Sequence, residues 1–398
     1  MISIKEAKAM LFEQAESVPK KNIKLNVTSV FGKILAEDLA AKCDSPPFDQ
    51  SAMDGYALHV DNIQSLSNIT LLPGIEVTAG DTKNLKLNLN TAVRIFTGAK
   101  VPTNCNLVIP QEYVQISADN KLELSSTTFS VNDNIRPKGS QFTKGEVVLE
   151  KGCAMNAAKI AIAITAGYSQ LKVLTAPKIH IIVTGNELAL PGSTLKSGQI
   201  YESNSLMMAA LLAEHAIEVT GITYAKDSLK QLENHFKKAF QKADIILVSG
   251  GISVGKYDLV QEALTNLKTQ KIFYKIKQKP GKPLYFGRKK NQFVFGLPGN
   301  PAATLTCLYE YVLPFIKSLS GLTTVNSLPK KAKLNNDYKK KAGLTHFLKA
   351  FVDDNGITIL PDQESYKLTS FAQANCLAII PEDCTEMKTG DLVEYHAI

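Results

Sequence analysis

Hydrophobic and polar positions change their period along the chain, and each change predicts a different kind of structure. Apolar residues recur at helical spacing over the first 20 residues, so an opening helix is predicted there, ended by the Val18-Pro19 step. From about 50 to 150, short alternating runs are separated by Gly, Pro and Asn-Asp, which is typical of a β-rich unit of hairpins and turns. A helix rich in alanine and isoleucine is predicted after them, at 156–167.

From about residue 177 short apolar strands alternate with amphipathic helices. This alternation predicts a doubly wound α/β domain with a parallel sheet covered on both faces. Strands are predicted at Ile179–Val183, Glu218–Thr223, Asp244–Val248, Leu284–Gly287 and Phe293–Phe295, and helices at Ser203–His215, Ser228–Lys242, Tyr257–Leu267 and 301–317. Beyond Pro329 a lysine-rich connector leads to a final β-rich segment, about 335–398.

The composition of the chain is typical of ordinary globular domains. With 398 residues, 44% hydrophobic and 21% charged, the chain is long enough for two to four domains. No apolar run approaches the ~20 residues of a membrane span, and the charged N-terminus is unlike a signal peptide, so no membrane association is expected. Six scattered cysteines without a CxxC pair and six histidines without HxxxH spacing argue against disulfides and zinc, and favour a reducing, cytoplasmic location.

The net charge of +8 is concentrated in one segment. Lys268–Lys290 contains nine basic residues and no acidic one, which leaves the rest of the chain at −1 (8 − 9). Only three of the basic residues in the chain are arginines. A nearly neutral protein with one basic segment favours a local anion site over nucleic-acid binding.

Candidate chemistry lies in four loops that follow strands of the predicted α/β domain, where open sheets bind ligands. Their glycines expose backbone N–H groups, which can hold a phosphate beside a helix N-terminus. Asp258 begins a helix, so a helix cap and a ligand are equally good interpretations of it. Lys279 and Lys282 lie on a stiff Pro-Gly turn, which favours an oxyanion site over a solvated face. The loops are Thr184–Leu188, Ser249–Asp258, Lys279–Pro283 and Gly296–Pro301.

Three segments of the first half have a similar character. Ser45–Ala57 combines a Pro-Pro step with two carboxylates and a glycine, which does not resemble a core segment. Phe96–Pro102 and Asn134–Gly139 repeat this composition, although for these two alone the composition slightly favours ordinary β-turns.

In order along the chain, these motifs resemble those of the MoeA-type molybdopterin molybdenumtransferases, the family that also forms the E domain of gephyrin. The resemblance rests on PPFDQSAMDGYA, IFTGAKVP, NIRPKGSQFTKGE, TGNEL, SGGISVGKYD, KPGKP and GLPGNPAAT, and extends from the N-terminal helix to the end. It implies the last step of molybdenum cofactor synthesis. Adenylylated molybdopterin and molybdate would be the substrates, AMP would leave, and Mg²⁺ would assist.

The resemblance also implies a multidomain architecture of α/β and β-rich parts in an elongated protomer that forms a homodimer. A helical and β linker domain would comprise 1–50 and 140–176, with a β-rich domain inserted at 51–139. A MogA-like α/β domain that binds molybdopterin or nucleotide would span 177–325, and a β-barrel-like C-terminal domain 326–398.

Roles for acidic residues follow from the resemblance, one position at a time. Asp54 and Thr97 match the aspartate and threonine that the family needs for activity. Glu187 and Asp258 would face the nucleotide phosphates, directly or through Mg²⁺. Asp227 resembles a further family acid. These five residues are therefore the catalytic candidates that the resemblance implies.

The same resemblance implies an oxyanion site and a nucleotide-binding set. Lys279 and Lys282 match the lysines that bind the molybdate or phosphate oxyanion, and Ser370 matches a C-terminal serine near it. Leu344 and Lys349 stand where the family commonly has arginines, which leaves the molybdate affinity open, because lysine lacks the planar arginine fork. The remaining binding candidates are Ser249, Gly250, Gly251, Ser253, Gly255, Pro298, Gly299 and Asn300.

Two other functions are considered. A molybdopterin adenylyltransferase shares the central domain, but it would consist mainly of that domain. A gephyrin-like scaffold would anchor partner proteins, yet no attached partner-binding region is recognisable in the sequence. The adenylyltransferase that supplies the intermediate is a possible partner of the enzyme.

Overall fold

The computed structural model of the chain describes residues 1–61, 68–125, 128–252, 258–322 and 329–398. The chain forms two compact units. One unit, called here the β-rich unit, comprises Lys24–Phe31 and Leu35–Lys172. The other, called here the α/β unit, comprises Met1–Ile23, Gly32–Ile34 and Val173–Ile398. None of the helices in these ranges is long and apolar enough to cross a bilayer.

The helices of these ranges lie close to their predicted positions. They are α1 (Ile4–Glu16), α2 (Ala157–Thr165), α3 (Asn204–Glu214), α4 (Leu229–Phe240), α5 (Leu259–Asn266), α6 (Pro301–Cys307) and α7 (Leu313–Leu319). A π-helical segment, Leu308–Val312, joins α6 to α7, so the single helix predicted at 301–317 is interrupted. Short 3₁₀ turns lie at Val27–Ser29 and Gln111–Tyr113.

The strands of the first half are mostly short. They are β1 (Asn22–Asn26), β2 (Leu39–Ala40), β3 (Gln50–Ser51), β4 (Gly55–His59), β5 (Thr70–Val77), β6 (Thr91–Ile95), β7 (Leu107–Pro110), β8 (Val114–Ile116), β9 (Leu122–Leu124), β10 (Ile135–Arg136), β11 (Val147–Leu149) and β12 (Gln170–Leu174).

The second half contains the longer strands. They are β13 (Ile179–Thr184), β14 (Leu188–Ala189), β15 (Ile200–Tyr201), β16 (Val219–Ala225), β17 (Ile245–Ser249), β18 (Gln270–Tyr274), β19 (Gln278–Lys279), β20 (Tyr285–Lys289), β21 (Gln292–Leu297), β22 (Lys330–Lys333), β23 (Tyr338–Lys339), β24 (Thr345–Asp353), β25 (Gly356–Ile359), β26 (Cys376–Ile380), β27 (Glu386–Met387) and β28 (Leu392–Ala397).

The β-rich unit is built around a four-stranded sheet in the order β5-β6-β4-β7. The central strand β4 is buried on both faces, because Tyr56 and Leu58 join one hydrophobic cluster and Ala57 joins another. This is the period of two expected for a strand, with an apolar layer on each side. The sheet gives the loops at the ends of β4 and β6 a rigid support.

The α/β unit contains a six-stranded sheet in the order β16-β13-β17-β21-β20-β18. Its side chains alternate between two cores: Ile181 and Leu247 pack with α1, α3 and α7, whereas Ile182 and Ile246 pack with α4 and α5. The helices therefore cover both faces of the sheet, as the sequence predicts.

The prediction of a parallel sheet is wrong for two strands of this sheet. β16, β13, β17 and β21 are parallel, but β20 and β18 are antiparallel to their neighbours. Only Lys290 and Asn291 separate β20 from β21, and two residues can form a hairpin but not a crossover to a parallel strand. β18 itself lies inside the basic segment and is not among the predicted strands.

The C-terminal part of the α/β unit forms a second sheet, in the order β19-β24-β26-β28-β22, with β25 paired to β24. β19 carries Lys279 and pairs in parallel with β24, opposite His346. The predicted lysine-rich connector is wrong, because Lys330–Lys333 is the edge strand β22. Its exposed lysines are typical of edge strands, where charge opposes pairing with another chain.

Candidate active site

Three segments of the first half meet within the β-rich unit. β3, in the PPFDQSAMDG segment, pairs with β10, in the NIRPKG segment. Gln50 Nε2 donates to the Gly98 carbonyl oxygen over 3.0 Å, and the Ser51 N–H donates to the Ala99 carbonyl oxygen over 2.9 Å. The three motif segments are therefore parts of one surface and not three separate turns.

Asp54 and Thr97 contact each other directly on this surface. Asp54 Oδ1 accepts hydrogen bonds from the Thr97 backbone N–H and from its hydroxyl, both at 2.7 Å. These bonds, the backbone one foremost, hold the pKa of the Asp54 carboxyl below its usual value, and the positive charge of Arg94 adds to the effect. Asp54 is exposed, and its Oδ2 has no hydrogen-bond partner among the described residues, so an ionised oxygen faces solvent.

Arg94 is a residue of this surface that the sequence analysis missed. Its guanidinium carbon lies 5.0 Å from the ring centroid of Tyr56 and 5.2 Å from that of Phe96, and it donates to Gln111 Oε1. A guanidinium stacked in this way is held in place beside Asp54. The scarcity of arginine in the chain was the only signal that could have drawn attention to it.

In the α/β unit, a cleft opens at the carboxyl ends of the parallel strands. A first lobe of about 450 Å³ is lined by the loops that follow β13, β16, β17 and β21. Thr184, at the end of β13, donates its hydroxyl to Asp227 Oδ1 over 2.6 Å and so connects two of these loops. The predicted residues that line this lobe are Glu187, Asp227, Gly250, Gly251, Pro298, Gly299 and Asn300.

Two glycines of the loop after β17 are required by close packing. Gly250 has a φ of +91°, and a Cβ there would lie 2.2 Å from the Thr184 carbonyl oxygen. Gly251 has a φ of +65°, and its Cβ would lie 2.7 Å from Val260 Cγ2. A side chain at either position would be strained and would push the loop away from the cleft. Ser253 and Gly255, from the same predicted loop, lie outside the described residues.

A second lobe, of about 370 Å³, shares five residues with the first: Thr184, Glu187, Gly250, Gly299 and Asn300. It adds the predicted Ser249 and further side chains that the sequence analysis did not assign to a site: Tyr201, Glu202, Asn204 and Tyr366. The backbones of Glu187 and Ile200 are joined by a hydrogen bond of 2.9 Å next to the β14–β15 pair, which holds this lobe together.

Asn204 is the most informative of the missed residues. Its Nδ2 donates to Ser249 Oγ over 2.8 Å and to the Gly299 carbonyl oxygen over 2.7 Å. Its Oδ1 is buried and has no partner among the residues described. A buried acceptor without a donor is costly, so a ligand N–H in this lobe would complete the arrangement. The sequence marked this residue only as the beginning of a helix.

Asp258 is a helix cap in the structure. Its Oδ1 accepts from the Gln261 backbone N–H over 3.1 Å, and it also accepts from the Gln261 side chain. Burial raises the pKa of this carboxyl, an effect that the bonds from Gln261 oppose. Neither lobe includes Asp258 among its described lining residues. The capping interpretation is therefore the one with a visible contact, and a role as a ligand stays a prediction.

The loop Lys279–Pro283, called here the lysine loop, is held in place by Gln278, another residue that the sequence analysis missed. Gln278 is buried, and its Nε2 donates to the carbonyl oxygens of Pro280 and Gly281 over 3.1 and 3.2 Å. Tyr311 in turn donates its hydroxyl to Gln278 Oε1. Lys279 and Lys282 are exposed and have no ion pair among the described residues, so both ammonium groups are available to an anion.

His346 lies beside Lys279 across the β19–β24 pair. Its Nδ1 contacts the hydroxyl of Tyr338 at 2.8 Å. Burial lowers the pKa of His346 to about 4, and the positive charges of Lys279 and Lys340 add to this effect. The imidazole is therefore neutral near pH 7 and adds no charge to the lysine loop.

Ser370 and Lys349 both contact the backbone of one loop, 362–367. The Ser370 hydroxyl donates to the Asp362 carbonyl oxygen over 2.9 Å. The Lys349 ammonium donates to the carbonyl oxygens of Asp362, Glu364 and Lys367 over 2.5, 3.4 and 3.0 Å. Lys349 is buried, and its three N–H groups match these three carbonyls. The place of Ser370 near an oxyanion stays a prediction.

This loop reaches the cleft. Ser365 Oγ accepts from Asn300 Nδ2 over 2.8 Å, and the Ser365 carbonyl oxygen accepts from the Ala302 N–H over 3.1 Å. Tyr366 lines the second lobe. Loop 362–367 therefore occupies one of the first N–H groups of α6, that of Ala302.

The carboxylates of the first lobe fit a magnesium ion held jointly with a substrate. Glu187 and Asp227 supply hard oxygen ligands, and Mg²⁺ commonly uses one or two carboxylates together with substrate phosphates and water. No group of three or more His, Cys, Asp or Glu side chains that could hold a metal occurs in the described part of the chain. The donor set therefore suits an ion that arrives with phosphate and not a cage made by protein alone.

Comparisons with known proteins cover the whole chain. Three family profiles match: the MoeA N-terminal region (domain I and II) at residues 2–167, a probable molybdopterin binding domain at 180–318, and the MoeA C-terminal region (domain IV) at 331–398. A molybdopterin molybdenumtransferase of Haemophilus influenzae is 32% identical over 99% of this chain and 98% of its own length. One of Staphylococcus aureus strain MSSA476 is 33% identical over 99% and 94%.

The structural comparison agrees. The crystal structure of a molybdopterin biosynthesis MoeA protein from Pyrococcus horikosii superposes with a TM-score of 0.84 at 27% identity, covering 100% of this chain and 99% of the other. The mixed α/β multidomain fold class expected from the sequence, with its MogA-like domain, is confirmed. The domain boundaries given above stay a prediction.

Proposed function

This chain belongs to the MoeA family of molybdopterin molybdenumtransferases, and we propose that it inserts molybdate into adenylylated molybdopterin with release of AMP. It is a transferase of molybdenum cofactor biosynthesis. The observation that carries the detailed proposal is the two-lobed cleft, where most of the predicted binding residues meet.

The cleft has two lobes with different linings, which suits a substrate of two linked parts. The second lobe offers the rings of Tyr201 and Tyr366 and the unpartnered Oδ1 of Asn204, which suits a flat heterocycle with N–H donors. The first lobe offers backbone N–H groups of Gly250 and Gly251 and two carboxylates, which suits a pyrophosphate with a divalent cation. Adenylylated molybdopterin combines these features.

Magnesium is part of the proposal. Glu187 and Asp227 would hold the ion together with the phosphates, and the ion would supply positive charge at the phosphoanhydride bond that breaks when AMP leaves. The chain's own residues would fix the phosphates through loop N–H groups.

Molybdate is proposed to bind at Lys279 and Lys282. Both are exposed point charges on a loop that Gln278 holds rigidly, and Pro283 of the same loop lines the first lobe. Lysine releases a bound oxyanion more readily than a bidentate arginine does, which suits an anion that must be transferred. We also propose a cytoplasmic homodimer that receives its substrate from an adenylyltransferase.

The test is AMP release by the full chain. Purified protein is given adenylylated molybdopterin and Mg²⁺, with and without molybdate, and AMP is measured over time. Molybdate-dependent AMP release is expected. AMP release at the same rate with and without molybdate would contradict the proposal. Consumption of ATP with unadenylylated molybdopterin would favour an adenylyltransferase instead.

A further inference from the structure

A second cavity of the α/β unit lies beside the π-helical segment between α6 and α7. A π turn shifts the side chains that follow it relative to a regular helix, and such turns often occur at functional sites. Here the segment contains Glu310, whose side chain is only 1% exposed. The proposed transfer reaction does not use this buried carboxylate, so its surroundings require a separate explanation.

Glu310 joins three distant parts of the chain. Its Oε2 accepts from Lys8 Nζ of α1 over 2.8 Å, and its Oε1 pairs with His396 Nδ1 of β28 at 2.7 Å. Burial alone would raise the pKa of Glu310, but the bonds and charges of His396 and Lys8 outweigh it and lower the pKa. The carboxylate is ionised, and each of its oxygens has a partner.

The cavity next to this carboxylate, called here the basic cavity, has a volume of about 180 Å³. Its walls combine basic and apolar side chains, and its only acidic side chain among the described lining residues is the already paired Glu310. The basic side chains are Lys8, His215, Lys317 and His396, and the apolar ones include Phe12 and Leu313. Because the pKa of His215 is lowered and Glu310 offsets the charge of Lys8, the side-chain charge left unpaired in this confined space is that of Lys317. Ile398, the last residue of the sequence, also lines the cavity.

Lys317 is the unexplained member of this lining. Its ammonium has no hydrogen bond or ion pair with any described residue. Burial disfavours the charged form and lowers the pKa of Lys317. His215 has its pKa lowered by burial and by the charge of Lys317, against a smaller opposing effect of Glu214. A half-buried ammonium without a partner destabilises the fold, which a bound anion would offset.

We propose that the basic cavity binds a small tetrahedral oxyanion such as phosphate. Lys317 has all three N–H donors free and Lys8 has two beyond its bond to Glu310, and lysine binds such anions as a point charge that accepts many directions. The apolar wall strengthens the attraction by excluding water. A cavity of about 180 Å³ is too small for a nucleotide, since sites for drug-sized ligands begin at about 300 Å³.

The basic cavity is separate from the cleft. Glu310 lies ten residues beyond Asn300 along the α6 segment, which corresponds to roughly 15 Å at 1.5 Å per residue. No residue lines both the basic cavity and either lobe of the cleft among those described. The proposal therefore does not depend on the proposed transferase reaction.

Phosphate binding to the full chain tests the proposal. Inorganic phosphate is titrated by calorimetry at constant ionic strength into the wild type, Lys317→Met and the control Lys237→Met, which removes the same charge from an exposed position on α4. Lys317→Met is expected to weaken one phosphate-binding event at least tenfold, and Lys237→Met to leave it unchanged. Phosphate bound at the lysine loop contributes equally to all three proteins.

Unfolding measurements keep the test interpretable. Without phosphate, Lys317→Met should unfold at the same temperature as the wild type or higher, because it removes an unpartnered charge. His215→Gln is a second probe and should weaken phosphate binding about threefold. Equal phosphate binding by the wild type and both cavity variants, or an equal loss in Lys237→Met, would overturn the proposal.

Discussion

The cleft and the basic cavity belong to the same unit and handle charge in opposite ways. The cleft presents Glu187 and Asp227 and has no lysine or arginine among its described lining residues. The basic cavity presents lysine and histidine around one carboxylate that is already paired. A carboxylate at an open cleft is free to do chemistry, whereas a buried and paired one contributes to folding. Position, and not residue type, decides which role an acid has.

The largest expected effect separates these two kinds of acid. Glu310→Ala should lower the free energy of unfolding by about 3 kcal/mol, because it leaves the Lys8 ammonium and the His396 Nδ1 without their buried partner. Urea unfolding of the full chain measures this change. A loss below about 0.5 kcal/mol would show that the buried pair does not hold α1 and β28 to the π segment.

The matching change in the cleft should affect catalysis instead. Glu187→Gln is expected to lower the rate of AMP release about 100-fold, equivalent to ~2.7 kcal/mol of barrier, since it removes a charge from the proposed magnesium site. Its unfolding free energy should stay within about 0.5 kcal/mol of the wild type. Glu218→Gln, at an exposed position just before β16, is the control and should retain full activity. A Glu187→Gln variant with wild-type turnover would remove Glu187 from the site.

A moderate effect is expected where the cleft depends on the C-terminal sheet. Lys349→Met should loosen loop 362–367 and raise the KM for adenylylated molybdopterin about tenfold with kcat nearly unchanged, because Ser365 and Tyr366 of that loop reach the cleft. Lys349→Arg should recover most of the KM, since its donors can reach some of the same carbonyls. Lys341→Met, at an exposed position with no ion pair among the described residues, is the control. If kcat falls instead of KM rising, Lys349 contacts the reacting groups.

The smallest expected effect concerns His346 beside the lysine loop. Its lowered pKa means that the unfolded chain binds a proton more readily, so its contribution to stability is complete above about pH 6.5 and is lost as the pH falls towards 4. After allowing for solvent screening, the loss is about 1 kcal/mol. His346→Gln should therefore flatten the pH dependence of unfolding between pH 6.5 and 4. An unchanged slope in this variant would assign the acid sensitivity to other groups.

The cleft was largely predictable from the sequence, and the basic cavity was not. Cleft residues such as Glu187, Gly250 and Asn300 lie in short loops directly after apolar strands, and parallel strands bring such loops to one edge. The basic cavity instead takes two or three residues from each of α1, the π segment, α7 and β28, where no local pattern marks them. Asn204 was missed in the cleft for the same reason, because its unpartnered oxygen is visible only in the folded chain.

Two interpretations changed once tertiary contacts were known. The sequence treated Lys349 as a weaker replacement for an oxyanion-binding arginine, but its ammonium binds three backbone carbonyls of one loop. Asp258 had two equally good interpretations, and the structure shows a contact only for the cap. In both cases residue type defined what the side chain could do, and its neighbours defined what it does.

The sequence by itself determined most helices and strands of the central α/β domain, the strand-following loops and the family, because these depend on local periodicity, turn residues and ordered motifs. Only the tertiary structure decided the direction of β20 and β18, the pairing of β19 with β24 and the partners of Glu310. Those features depend on contacts between residues far apart in sequence. Burial and hydrogen bonding then set the charge and freedom of each side chain, which local sequence does not encode.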